Sequence, residues 1–214
     1  MEGSSVSITS KKGPFKSRLA EVRKVIARRL SHPIVRLLAR TGVTPNALTW
    51  FGLLLSLGAA VLIALKQPFA AGFVVLFAGL FDMLDGALAR FTDKTTRFGA
   101  ILDSTLDRLG EVAVLLGLLI FFVRELSTPG ILVVGFTLPG ALLVSYLRAR
   151  AEAAGLTGEV GFFTRTERVI ILSLGLLLSG IDYALIISLG IIAFFSYVTV
   201  IQRLLHIWYQ TKGD

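Results

Sequence analysis

The chain has 214 residues, of which 54% are hydrophobic and only 17% charged, and its mean hydropathy is +0.77. A soluble domain carries about 25% charge, so composition argues against a water-soluble enzyme, and such hydrophobicity argues against disorder. The absence of Cys excludes disulfides and thiolate sites. The net charge of +8 is unevenly spread: ten of the 22 Lys and Arg precede residue 47. That reads as the basic flank of a polytopic membrane protein, with no nucleic-acid partner.

Residues 1–16 read as a flexible tail, and 17–46 as a juxtamembrane segment. In the latter, Leu19, Val22, Ile26 and Leu30 recur at helical spacing among Arg18, Lys24, Arg28 and Arg29. This predicts an amphipathic helix on an anionic lipid surface. Ser31 and Pro33 suit a fresh helix start. Residues 1–46 lack the apolar core of a cleavable signal peptide.

Residues 47–214 form the expected membrane domain. A spanning helix needs about 20 apolar residues, and six segments qualify: roughly Ala47–Leu65, Pro68–Phe91, Gly99–Val123, Pro129–Leu147, Glu167–Gly180 and Tyr183–Trp208. The fifth is the shortest. The predicted fold class is therefore an all-α membrane protein with six transmembrane helices after a cytoplasmic amphipathic helix. With the N-terminus inside, only Lys66 and Arg124 fall on the outer side. The positive-inside rule then puts both termini in the cytoplasm.

Asp82, Asp85, Asp103 and Asp107 lie within or at the ends of the second and third segments. An Asp at a helix centre costs about 2.5–3.5 kcal/mol, so four central, unpaired ones would cost on the order of 10 kcal/mol. A polar cavity or bound cations near the cytoplasmic end would offset that cost. The i,i+3 and i,i+4 spacings put each pair on one helix face. The short loop Thr92–Arg97 makes the two helices antiparallel neighbours, so the four carboxylates can converge. Hard oxygen ligands suit Mg²⁺ or Mn²⁺, and two such ions would clamp a phosphoryl group. Glu111 continues the stripe by one turn, and Asp93 sits in the loop. Gly72, Gly79 and Gly86 recur every seven residues; the first two suit helix packing, and Gly86 suits a ligand's approach.

Written out, this region is Asp82-x-x-Asp85-Gly86-x-x-Ala89-Arg90-x8-Gly99-x3-Asp103-x3-Asp107, eight fixed positions over 26 residues. It resembles the signature of the CDP-alcohol phosphotransferase family. The resemblance implies a six-helix membrane enzyme, commonly a homodimer, that displaces CMP from a CDP-linked lipid with an alcohol at a cytoplasmic metal site. By the same resemblance Asp82, Asp85 and Asp103 hold metal, while Asp107 touches metal and is the catalytic general base. A carboxylate on a dication loses proton affinity, so Asp107 must be only loosely bound to act so. Thr44-Pro45-Asn46 followed by Thr49 resembles the family's nucleotide-contacting element and also reads as a helix start. The implied CDP-diacylglycerol contacts are Asn46, Thr49, Gly86, Ala89, Arg90 and Thr96.

The stretches 145–153 and 165–168, with the run 81–107, are similar to the actinobacterial branch of the family that takes inositol phosphate as acceptor. There the acceptor pocket is basic, and the matching positions are Arg148, Arg150, Arg168 and Arg203. Phosphate favours arginine forks. These arginines also suit a topology signal, but Arg203 interrupts an apolar helix, a costly position for a marker. His32 and His206 read as interfacial bystanders. The expected partners are CDP-diacylglycerol, inositol phosphate, membrane lipids and a second copy of the chain, in a bacterial cell membrane. Rival readings are a phosphatidylglycerol phosphate synthase using glycerol 3-phosphate, a cation transporter and a lipid-binding scaffold. The transporter is disfavoured because the acids sit at one end and no repeat is visible, and the scaffold because the motif is intact.

Overall fold

The computed structural model describes residues 34–158 and 160–212. The expected tail 1–16, the amphipathic stretch from Leu19 to Leu30, and His32 lie outside the described residues. Residues 34–40 are helical, in a unit (1–43) separate from the bundle that begins at Thr44.

The bundle consists of α1 (Pro45–Ala64), α2 (Pro68–Phe91), α3 (Arg97–Arg124), α4 (Thr128–Ala153), α5 (Arg165–Leu177) and α6 (Ala184–Thr211). Local chemistry sets the starts. The side chains of Thr44, Thr96 and Ser127 accept hydrogen bonds from the first turns of α1, α3 and α4, and Pro occupies the first turn of α1, α2 and α4. Thr164 and Glu167 form a capping box on α5. Helix α4 outruns its apolar segment by six residues, because Arg148 to Ala153 are good helix formers and Arg148 pairs with Glu152 at i,i+4 (2.8 Å).

Among the described residues four helices, α1, α2, α4 and α6, are long and apolar enough to cross a membrane, where sequence predicts six. Helix α3 is 28 residues long, but Asp103, Asp107, Arg108 and Glu111 interrupt its N-terminal and central turns. Helix α5 has only 13 residues, about 20 Å at 1.5 Å per residue, against a hydrocarbon core of about 30 Å. It stops at Leu177, ahead of the expected Gly180, where the chain turns through Ser179–Tyr183.

The close pairs are α1 with α2 and α3, α2 with α5, α3 with α4, α4 with α6, and α5 with α6. One apolar core joins Ile63, Val75, Leu118, Val134, Leu176 and Leu189. Much of the outer face is Leu, Ile, Val and Phe, which suits lipid. Small residues set the spacing. A Cβ on Gly117 would lie 2.6 Å from the carbonyl oxygen of Ala60 on α1, and one on Gly72 would lie 3.0 Å from the backbone nitrogen of Leu177 on α5. Gly117→Ala is therefore expected to destabilise the solubilised protein by about 1–3 kcal/mol, seen as an earlier thermal unfolding midpoint. An unchanged midpoint would contradict the close α1–α3 approach.

Candidate active site

Four aspartates from α2 and α3 meet under the start of α5. One carboxylate oxygen each from Asp82, Asp85 and Asp103 lies within 4.8 Å of the others. Asp85 is 3% exposed, with the Gly86 amide donating to its Oδ1. Its Oδ2, like Oδ1 of Asp103, is buried with no hydrogen-bond partner among the described residues. Buried polar atoms are nearly always partnered, so two orphaned acceptors facing a third carboxylate fit a hard divalent cation.

Asp107 reaches the cluster by another route. Nη1 of Arg165 pairs with Oδ2 of Asp82 and with Oδ2 of Asp107, the latter at 2.9 Å. The cleft here is lined by Thr49, Ser56, Asp82, Asp85, Asp107 and Arg165, among others. Arg165 is the residue of this cluster that the sequence did not single out. The available signal was the uncompensated charge of four acids in an apolar setting, which demands a counter-ion. One sequence does not say which arginine supplies it.

The expected nucleotide contacts gather at the same end. An added Cβ on Gly99 would lie 2.9 Å from Oγ1 of Thr96 and 3.3 Å from Oδ1 of Asn46, so the starts of α1 and α3 bring Asn46 and Thr96 together. Thr49 is buried and donates to the Pro45 carbonyl (3.1 Å). The Arg90 guanidinium lies over Gly86, within 3.3 Å of an added Cβ there; Ala89 is partly exposed beside it. Gly72 and Gly79 instead face Leu177 and Val169 of α5 and serve packing.

The four arginines separate. Arg148 and Arg150 are exposed on the last turns of α4. Arg203 is buried and donates to the carbonyls of Val160 (2.8 Å) and Val144. Arg168, 2% exposed, turns its fork to Glu111 through Nε (2.6 Å) and Nη2 (2.8 Å). His206 lies 3.4 Å from the Thr157 hydroxyl, which also donates to Gln210 (2.9 Å).

The model of the CDP-alcohol phosphatidyltransferase family matches residues 42–208. The phosphatidylinositol phosphate synthase of Mycobacterium tuberculosis (strain H37Rv) is 40% identical over 204 residues, covering 91% of this chain and 90% of that protein. A crystal structure of that species' synthase with CDP-DAG bound superposes with a TM-score of 0.76 at 39% identity, covering 84% of this chain and 94% of the other. A second, in complex with manganese and citrate, gives 0.74 at 39% identity, covering 83% and 88%.

Proposed function

The chain belongs to the CDP-alcohol phosphatidyltransferase family, and on that premise we propose that it transfers the phosphatidyl group from CDP-diacylglycerol to inositol phosphate, giving phosphatidylinositol phosphate and CMP. The observation that carries the reading is the convergence of Asp82, Asp85 and Asp103 beside an Asp107 joined to them through Arg165. The 40% identity to a synthase of that name supports the acceptor.

Asp82, Asp85 and Asp103, with a lighter contribution from Asp107, would hold the cations. Two Mg²⁺ or Mn²⁺ ions, when bound, supply positive charge that offsets the diphosphate's. Asn46, Thr49, Gly86, Ala89, Arg90 and Thr96 bind and orient the CDP end of the lipid. Gly86, without a side chain, admits the diphosphate alongside Asp85. The acceptor's hydroxyl oxygen forms a bond to the phosphorus that carries diacylglycerol, and the bridging bond from that phosphorus to CMP breaks. Asp107 takes the hydroxyl's proton on a carboxylate oxygen. Arg165 holds Oδ2 of Asp107 in place. Arg148, Arg150, Arg168 and Arg203 meet the acceptor's phosphate, Arg168 through the Nη1 that has no partner among the described residues.

In the membrane we place six helix segments, with α5 short and sheltered by α2 and α6, and with both termini and the site cytoplasmic. Twenty of the 22 basic residues then lie on the inner side. The working unit is a homodimer in a bacterial cell membrane.

The test is CMP release from CDP-diacylglycerol by purified protein with Mg²⁺. Inositol phosphate is expected to drive release at least about 10-fold faster than unphosphorylated inositol, because a lost charge-assisted contact is worth roughly 1.5–3 kcal/mol. Equal rates would remove the phosphate pocket from the account.

A further inference from the structure

The C-terminal half of α6 carries a polar stripe of which the proposed reaction uses only Arg203. Ser196, Thr199, Arg203, His206 and Gln210 follow one another at alternating steps of three and four residues, so they share one helix face. The connection from α4 to α5 lies along that stripe and runs opposite to it. The Thr157 hydroxyl meets His206 and Gln210, the Val160 carbonyl meets Arg203, and Gly161 meets Thr199. The backbone comes close: a Cβ on Gly161, which has φ 112°, would lie 2.5 Å from Cγ2 of Thr199. On the other side a Cβ on Gly158 would lie 3.0 Å from the carbonyl oxygen of Arg148 on α4. Residues 157–158 and 160–161 thus wedge between the C-terminal ends of α4 and α6.

The wedge sets the direction of Arg203. That side chain is 5% exposed, with Nε donating to Val160 on the wedge and Nη1 to Val144 on α4. Two carbonyls on different segments fix the plane of the guanidinium. Arg165 and Arg168 face carboxylates, whereas the partners of Arg203 among the described residues are neutral, which leaves its charge for an anion. Val144 is held by its helix, but Val160 lies outside any helix, so its place depends on what fastens the connection. Gln210 does so. Its Oε1 accepts from the main-chain nitrogen (3.0 Å) and the hydroxyl (2.9 Å) of Thr157, and its Nε2 donates to the Thr157 carbonyl (3.1 Å). A carboxamide suits this place because it accepts and donates at once.

We propose that Gln210 is a positioning residue for the acceptor: it clamps Thr157 so that the Val160 carbonyl aims Arg203 at the acceptor's phosphate. The proposal rests on the reading of Arg203 as a phosphate ligand. Gln210 touches no substrate and acts through Arg203. Its bonds lie near the surface, where each contributes little net stability, so their effect is expected in acceptor binding more than in unfolding.

The test compares full-length Gln210→Ala, Thr157→Val, Arg203→Ala and the double variant Gln210→Ala/Arg203→Ala with the parent in detergent. Thr157→Val keeps the volume and both main-chain bonds to Gln210 but loses the hydroxyl's. CMP release gives KM for each substrate, with inositol phosphate as acceptor, or glycerol 3-phosphate if the parent prefers it. Hydrogen–deuterium exchange reads the main chain around Thr157. Losing a charge-assisted contact outright changes affinity about 10- to 100-fold, and misaiming it forfeits part of that. Gln210→Ala is therefore expected to speed exchange at Thr157 and raise the acceptor KM at least about fivefold, with kcat and the KM for CDP-diacylglycerol within about twofold of the parent's. Thr157→Val should move the same way by less, and it carries the test if Gln210→Ala does not fold. In the Arg203→Ala background, removing Gln210 should change the acceptor KM by less than about twofold, because its effect passes through that arginine. Faster exchange with a parent-like acceptor KM in Gln210→Ala, beside a raised KM in Arg203→Ala, overturns the proposal alone and leaves Gln210 a structural latch. A rise that persists in full without Arg203 also overturns it. A parent-like acceptor KM in Arg203→Ala overturns the phosphate reading, and this proposal with it.

Discussion

Asp85→Asn is expected to abolish CMP release while leaving the protein folded. Asp85 is the most buried of the four aspartates, and its Oδ2 has no hydrogen-bond partner among the described residues. The amide keeps the side chain's shape but removes its charge. One unit charge acting at about 4 Å through an effective dielectric of about 20 is worth about 4 kcal/mol, on the order of 10³ in affinity. A dication doubles the interaction, so Mn²⁺ affinity should fall by at least about that factor, as followed by titration. Folding is expected to survive because the substitution removes a charge from a buried position. Parent-like turnover at saturating Mg²⁺ would contradict a cation site at Asp85.

Asp107→Asn should separate binding from chemistry. A general base contributes typically 10²–10⁴-fold, so kcat should fall by about that much while CDP-diacylglycerol still binds. Mn²⁺ affinity should fall less than with Asp85→Asn. The reason is geometric: Asp107 stands outside the group of three carboxylates and gives its Oδ2 to Arg165 at 2.9 Å. Binding measured with CDP-diacylglycerol in detergent, beside single-turnover rates, checks both parts. If the substitution removes lipid-nucleotide binding and leaves the residual rate unchanged, Asp107 is a ligand and the base lies elsewhere.

The acidic stripe was legible because it is local. Spacings of three and four residues fix a helix face, and a loop of a few residues keeps the joined ends of α2 and α3 together; along their lengths the two helices do not pair, because α1 packs against both. The capped starts at Thr44 and Thr96 were legible for the same reason. The counter-ion was not: Arg165 is separated by 83 residues from Asp82 and by 58 from Asp107, and no periodicity reports a contact across that distance. The resemblance marks Arg168 as a phosphate ligand but does not show that two of its nitrogens are held by Glu111, leaving Nη1 without a partner among the described residues. Glu111 was visible as the next step of the stripe, but its partner was not. Apolar length alone also overstated α5, since hydropathy does not register the turn at Ser179–Tyr183, where Tyr183 adopts φ 62°.

The acceptor is the central claim, and charge cannot decide it, because inositol phosphate and glycerol 3-phosphate each carry one phosphate. Purified protein with CDP-diacylglycerol and Mg²⁺ should be given both acceptors at equal concentration, and the lipid products separated by mass. The account predicts phosphatidylinositol phosphate as the dominant product, since a pocket shaped to ring hydroxyls leaves its polar groups unpaired against the smaller alcohol. Phosphatidylglycerol phosphate as the dominant product would contradict it.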